Sequence, residues 1–313
     1  MDHNMEENST TTYDNYSSYF DISDESCNKT EVIHFGAVVT PVFFMMVIVF
    51  SCVGNALVLW VLIKYENLRS MTNAFLLNLA ISDLIFTLGL PFWGLDLVFG
   101  WTFGESACKS VSFIFYLGFY SSLIFLTVIT VSTYYSIGIS AFIWFLSFCA
   151  ATPYFIFSVV SSYPNSKPGH FCHFNDIEWK LIGIYLQNIF FLIAFLTIAF
   201  CYIGIFNRPF RPISHTRPKT IKLILCIVVA FYLGWTPYNV AIFLDSLISF
   251  QISPFNECHV STTVDYVFNV SRLVAFSHCC LNPVFYIFEV KFRDHLKKAL
   301  RSFCRSNDQP PAI

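Results

Sequence analysis

Two ionisable residues fall inside long apolar runs. Asp83 lies in the run 73–99 and Arg272 in the run 260–288. An ionised side chain at bilayer depth costs at least ~2.5–3.5 kcal/mol on insertion scales, so each is a candidate functional residue. Asp83 stands ten residues into its run from the inner end, whereas Arg272 lies in the outer half of its own. This offset argues against a mutual ion pair. Asp83 is expected to face polar groups at its own depth, Asn55, Ser122 and Asn282, and Arg272 to line a cavity that opens outward.

Four cysteines, Cys27, Cys108, Cys172 and Cys258, fall in outward segments, where an oxidising compartment allows three connectivities. His170-Phe171-Cys172-His173 has metal-ligating residue types, but no Cys-x-x-Cys or His-x-x-x-His partner follows, so no metal site is expected. Cys52, Cys149, Cys201, Cys226, Cys279 and Cys280 lie in apolar runs and are expected to pack as small hydrophobes. The chain has no Gly-rich phosphate loop, no His-Glu-x-x-His and no paired carboxylates within the runs. An enzyme is therefore not expected. Internal repeats of the kind transporters use are also absent.

The elements that must position these residues follow from composition. The chain has 313 residues, 56% hydrophobic and 12% charged, where soluble proteins carry roughly a quarter charged residues. That balance marks an integral membrane protein and gives nucleic-acid binding no support. Residues 110–166 hold no charged side chain, and ~20 apolar residues already cross a bilayer. This stretch must therefore fold back as two spans, leaving only about Ser132 to Gly138 for the reversal. Apolar runs at 35–63, 73–99, 106–131, 134–160, 180–206, 220–250 and 260–288 predict an all-α membrane protein with a seven-transmembrane helix bundle over 35–288. Pro41, Pro91, Pro153, Pro237 and Pro283 interrupt five of the spans, and each frees a carbonyl that a neighbouring helix must satisfy.

An outer N-terminus and an inner C-terminus put thirteen of the eighteen Lys and Arg on the cytoplasmic side, as the positive-inside rule requires. Outside, fifteen acids face four lysines. Such a field would speed capture of a cationic ligand in a salt-sensitive way. Residues 1–34 form an acidic arm without periodicity, expected to be disordered. The arm carries sequons at Asn8, Asn15 and Asn28 and acid-flanked tyrosines Tyr13, Tyr16 and Tyr19, with Asp14 and Asp21 beside them. Residues 289–304 predict a short amphipathic eighth helix along the inner surface, in contact with membrane lipid, with Cys304 a palmitoylation candidate. A short cytoplasmic tail, 305–313, follows.

Gly54-Asn55, Asn78-Leu-Ala-Ile-Ser-Asp83, Cys108, Trp144, Tyr202, Trp235-Thr-Pro237 and Asn282-Pro283-Val-Phe-Tyr286 together resemble the rhodopsin-like (class A) G-protein-coupled receptors. The acidic tyrosine arm, Trp93 after Pro91, Trp101 and the extra pair Cys27 and Cys258 resemble the chemokine receptors. Arg272-Leu-Val-Ala-Phe-Ser-His-Cys-Cys-Leu-Asn-Pro is similar to the XC-type (lymphotactin) branch. The resemblance implies a plasma-membrane receptor with Cys108–Cys172 and Cys27–Cys258 disulfides. It implies docking of a chemokine ligand by Tyr13, Tyr16 and Tyr19, and a pocket of Trp93, Phe115, Tyr116 and Arg272 for the ligand's N-terminus. Asp83, Asn55, Ser122 and Asn282 would hold an allosteric sodium ion, with no other cofactor. Trp235, Pro237 and Tyr286 would belong to the activation switch. A heterotrimeric G protein and arrestin would meet the inner face. There the chain departs from the family. Ser132-Thr133-Tyr134 stands where Asp-Arg-Tyr or His-Arg-Tyr is usual, the basic second inner loop is missing, and the tail lacks a serine/threonine cluster. The expectation is a chemokine receptor whose G-protein coupling is weakened by Thr133 in place of the motif arginine, the alternative a non-signalling decoy or a shortened splice or gene-model product that binds chemokine or misfolds.

Overall fold

In lipid a backbone must satisfy its own N–H and C=O groups, so each apolar run closes into a helix. The structure, a computed structural model, describes residues 29–131, 136–162, 169–206 and 217–287, with 293, 294 and 297 beyond them. Helices run over α1 (Thr30–Tyr65), α2 (Met71–Phe99), α3 (Glu105–Val131), α4 (Ser136–Phe157), α5 (Ile177–Phe206), α6 (Arg217–Ser249), α7 (Cys258–Phe276) and α8 (His278–Ile287). A two-stranded antiparallel hairpin, β1 (Ser158–Ser162) and β2 (His170–Phe174), follows α4. Among the described residues, α1 to α6 are each long and apolar enough to cross a membrane. The tandem α7–α8 supplies the seventh crossing.

That seventh crossing differs from the expected single helix. Ser277 Oγ donates to the carbonyl of Val274 at 2.7 Å and His278 Nδ1 bonds that of Ala275 at 2.9 Å. Cys279 and Cys280 Sγ reach the carbonyls of Phe276 and Ser277. Four consecutive side chains thus bond back three residues, which competes with the helical ladder and breaks it at Ser277. Pro283 has no N–H to give the carbonyl of Cys279; instead Asn55 Nδ2 of α1 donates to it at 2.8 Å. Gly54 allows that approach, since a Cβ there would stand 2.8 Å from Pro283 Cβ. The Gly54-Asn55 pair and Pro283 therefore form one device that docks α1 on α8.

The buried core is a continuous cluster that includes Phe86, Phe115, Phe119, Trp235 and Phe276. Large apolar side chains also lie exposed on outer faces, among them Phe142 and Phe145 of α4 and Leu192, Leu196 and Phe200 of α5. In a membrane these faces meet lipid tails, which are as apolar as the side chains themselves. Trp144 Nε1 of α4 donates to Asn78 Oδ1 of α2 at 2.9 Å, a polar tie between helices.

Two boundaries shift from the sequence reading. Residues 30–34, placed in the arm, belong to α1. The run 134–160 ends as helix at Phe157, and its last residues turn into β1. Ser158-Val-Val-Ser-Ser162 is apolar enough to read as the end of a span, but its β-branched pair suits a strand equally well. Tyr13, Asp14, Tyr16, Tyr19, Asp21, Cys27, Asn8, Asn15 and Asn28, the motif Ser132-Thr133-Tyr134, and the proposed helix 289–304 lie outside the described residues, apart from positions 293, 294 and 297.

Candidate functional site

The hairpin lies over one end of the bundle. Cys172 of β2 is disulfide-bonded to Cys108 of α3, and Trp101 N–H donates to the carbonyl of His170 at 2.7 Å. Trp101 is 1% exposed, packed with Cys108 and Val111, and its Nε1 donates to Gly104 O. With Cys172 in the disulfide, the segment 170–173 offers no thiolate to a metal. His173 instead bonds Ser161 Oγ through Nε2 at 2.8 Å, and burial holds its pKa below the ordinary imidazole range. Cys258 is also disulfide-bonded. Its partner lies outside the described residues.

Under the hairpin the expected pocket residues divide. Trp93 meets Phe115 edge-on at 6.1 Å, and Phe115 meets Phe276 at 5.1 Å, making an aromatic floor. Tyr116 turns away and stacks on Tyr154, with Tyr154 OH donating to Gly183 O at 3.1 Å. Successive helical residues point about 100° apart, so Phe115 and Tyr116 serve different halves of the bundle. Arg272 is half-buried one turn from Phe276. Its guanidinium donates to Thr40 Oγ1 at 3.2 Å and Asn269 Oδ1 at 2.9 Å and lies over the Phe268 ring.

At mid-bundle Asp83 is fully buried. Ser122 Oγ donates to its Oδ1 at 2.9 Å and Asn282 Nδ2 to its Oδ2 at 2.7 Å. Asn55 departs from expectation: its amide donates to Ser51 and to the Cys279 carbonyl. The link from Asn55 toward Asp83 runs through Ser51 and Thr87, whose Oγ1 donates to the backbone carbonyl of Asp83. Pro283 claimed Asn55 by freeing that carbonyl. A residue the sequence reading passed over, His278, points Nε2 at Asp83 Oδ1 from 3.8 Å. The same ring contacts Phe86, Phe231 and Trp235. Its spacing of four from Asn282 puts both on one helical face, a signal that was available.

Trp235 is buried between Phe119 at 4.5 Å and His278 at 5.3 Å, two residues from Pro237 in α6. Tyr286 is buried at the α8 end of the core. A polar centre and the expected switch tryptophan are therefore joined through one imidazole. Ion pairs the sequence did not reveal close the hairpin end: Lys29 with Asp265 ties α1 to α7, and Lys180 with Asp245 ties α5 to α6.

Residues 54–138 and 132–286 match the family described as "7 transmembrane receptor (rhodopsin family)". The two matched stretches overlap at 132–138, the junction between α3 and α4. Human (Homo sapiens) Chemokine XC receptor 1 is 38% identical, covering 94% of this chain and 91% of its own. Human C-C chemokine receptor type 8 is 34% identical over 97% of this chain and 90% of its own. Rabbit (Oryctolagus cuniculus) CX3C chemokine receptor 1 is 32% identical over 93% and 87%. With seven crossings, a polar mid-bundle centre and likeness along nearly its whole length, this multi-pass plasma-membrane chain belongs to the rhodopsin family of G-protein-coupled receptors, and within it to the non-enzymatic chemokine receptors.

Proposed function

We propose that the chain binds an XC-type or related chemokine at the hairpin end, which faces outward with the N-terminus, while the C-terminus lies inside. What supports this reading is the covered aromatic floor, with Arg272 above it, in a chain 38% identical to a chemokine XC receptor. The arm residues Tyr13, Tyr16 and Tyr19, set among Asp14 and Asp21, dock the basic chemokine core. Asn8, Asn15 and Asn28 carry glycans. Cys27 bonds Cys258, the pairing that the resemblance to chemokine receptors implies. Trp93, Phe115 and Arg272 receive the ligand's N-terminus, and Tyr116 braces the pocket wall through Tyr154.

The oxygens of Asp83 and Ser122 fit a hard cation such as sodium, which prefers oxygen donors. Asn55 gives only its amide nitrogen to other partners; its Oδ1 is buried without a hydrogen bond and remains an oxygen donor for such an ion. When bound, the ion would balance the buried carboxylate, and Asn282 and His278 would orient that carboxylate toward Trp235. A ligand shifts the bundle only by its differential affinity for two states. Trp235, Pro237 and Tyr286 are the elements those states repack.

Coupling is impaired on this reading. Four residues, 132–135, separate α3 from α4, and Thr133 stands where an arginine would meet the G protein and arrestin would find its basic surroundings. Thr133 at the arginine's place and the short junction between α3 and α4 are what support weak or no G-protein output. Deleting residues 1–26 is expected to slow chemokine association roughly tenfold or more and to flatten its salt dependence. Association kinetics on cells expressing the full and shortened chains measure this, and unchanged capture would remove the docking role.

A further inference from the structure

At the hairpin end the lysines are matched: Lys29 pairs with Asp265 at 2.7 Å, Lys109 with Glu105 at 2.7 Å and Lys180 with Asp245 at 2.9 Å. The opposite end of α1 is different. Lys64, in the last turn of that helix, is exposed and makes no hydrogen bond or ion pair among the described residues. Its ammonium instead lies over the Trp60 ring at 5.2 Å and the Tyr65 ring at 5.4 Å, and the two rings meet edge to face at 6.2 Å. Ring faces attract a cation but leave its charge unneutralised. They also hold a flexible side chain in one place, which lowers the ordering cost of any later binding event.

A second cation stands at the turn between α1 and α2. Asn67 Oδ1 accepts the Arg69 N–H at 2.9 Å and the Asn67 carbonyl accepts the Ser70 N–H at 3.0 Å, an Asx-type turn that fixes where Arg69 leaves the chain. The Arg69 side chain is exposed and has no partner among the described residues. Glu66, the acid between the two cations, accepts from Asn73 Nδ2 of α2 at 3.2 Å rather than from either of them. Trp60, Ile63 and Leu68 are exposed along the same stretch, so apolar surface and unmatched charge adjoin. Tryptophan and tyrosine rings settle at the membrane–water boundary. Lys64 beside them therefore stands at the level of lipid phosphodiesters, and Arg69, at the turn beyond α1, farther from the bilayer.

We infer that Trp60, Lys64, Tyr65 and Arg69 form a headgroup site for an inner-leaflet phospholipid with a phosphate monoester on its headgroup. Lys64 takes the phosphodiester as a point charge, and the planar guanidinium of Arg69 takes the outward monoester in two-pronged geometry. The acyl chains lie along Trp60 and Ile63. The choice of leaflet rests on the reading that places the C-terminus inside.

Phosphatidylinositol bisphosphate, phosphatidylserine and the soluble inositol trisphosphate headgroup are each titrated into the detergent-purified full chain, with the thermal midpoint as readout. Phosphatidylinositol bisphosphate is expected to act at about tenfold lower concentration than either of the others, since a charged hydrogen bond is worth roughly that factor. Lys64→Gln and Arg69→Gln should each remove that advantage, and Trp60→Leu should weaken it about threefold while Trp60→Phe keeps most of it. The control combines Arg293→Gln with Lys297→Gln, two exposed cations beyond α8, and should cost less than Lys64→Gln alone. If a variant does not fold, the ranking of the three ligands on the unaltered chain decides. Equal action of the two lipids, or a greater loss in the control than in Lys64→Gln, means a general basic field and overturns the site. Soluble headgroup binding as tightly as the lipid overturns it in favour of a free phosphate compound. Detergent exposes both ends of the bundle, so lipid selectivity together with a C-terminus labelled from outside the cell would overturn the orientation and not the site.

Discussion

Gly118→Ala is expected to strip most of the receptor from the cell surface, because α2 and α3 touch backbone to backbone there. A Cβ on Gly118 would stand 2.4 Å from Phe86 N and 2.6 Å from Phe86 Cα. No rotamer change moves those atoms, so the helices must separate. Phe86 is the hub that meets Phe115, Phe276, His278 and Trp235; shifting it disturbs the pocket floor and the Asp83 centre together. The cost is placed at about 3 kcal/mol or more, the upper end for over-packing, and surface abundance should fall several-fold. Gly138→Ala is the control, since nothing stands within 4 Å of its Cβ position. Surface labelling of both variants measures the difference. A Phe86→Ala second change should not rescue Gly118→Ala, because the obstructing atoms include Phe86 N and Cα.

Cys108→Ser should release the hairpin from α3 and abolish high-affinity ligand binding. The disulfide closes a separation of 64 residues. Chain-entropy reasoning gives about 4 kcal/mol for a loop of that size, and less where the membrane already restrains α3, α4 and α5, so about 2–4 kcal/mol is expected. The buried Trp101 loses its cover with it, since its N–H is tied to His170 on the same strand. Cys172→Ser should give the same loss, and the double variant no more than either alone, because all three remove one bond. Ligand saturation on intact cells and thermal midpoints of the purified variants measure this. An additive double variant would mean the two thiols act separately.

Much of the fold was legible because membrane crossings are set by length and apolarity, and the charge distribution around 110–166 required two spans there. Asp83 with Ser122 and Asn282 was legible from common depth. Asn55 was not, since its commitment to the Cys279 carbonyl depends on Pro283 packing against Gly54, a contact between chain segments more than two hundred residues apart. The break at Ser277 was hidden because Ser, His and Cys in an apolar run read as helix until their side chains are seen bonding backward. Tyr116 followed its neighbour Phe115 in sequence but not in direction. Asp96 escaped notice as one more acid near a span end; only its buried oxygen without a hydrogen-bond partner singles it out.

The receptor proposed above binds chemokine at its outer half and couples poorly at its inner face. Chemokine-stimulated nucleotide exchange on a G protein, measured in membranes bearing the chain as written and normalised to bound chemokine, tests it most directly. Saturable binding with exchange near baseline is expected, rising when Thr133→Arg is combined with a basic second inner loop. Robust exchange by the unaltered chain at equal occupancy would contradict it.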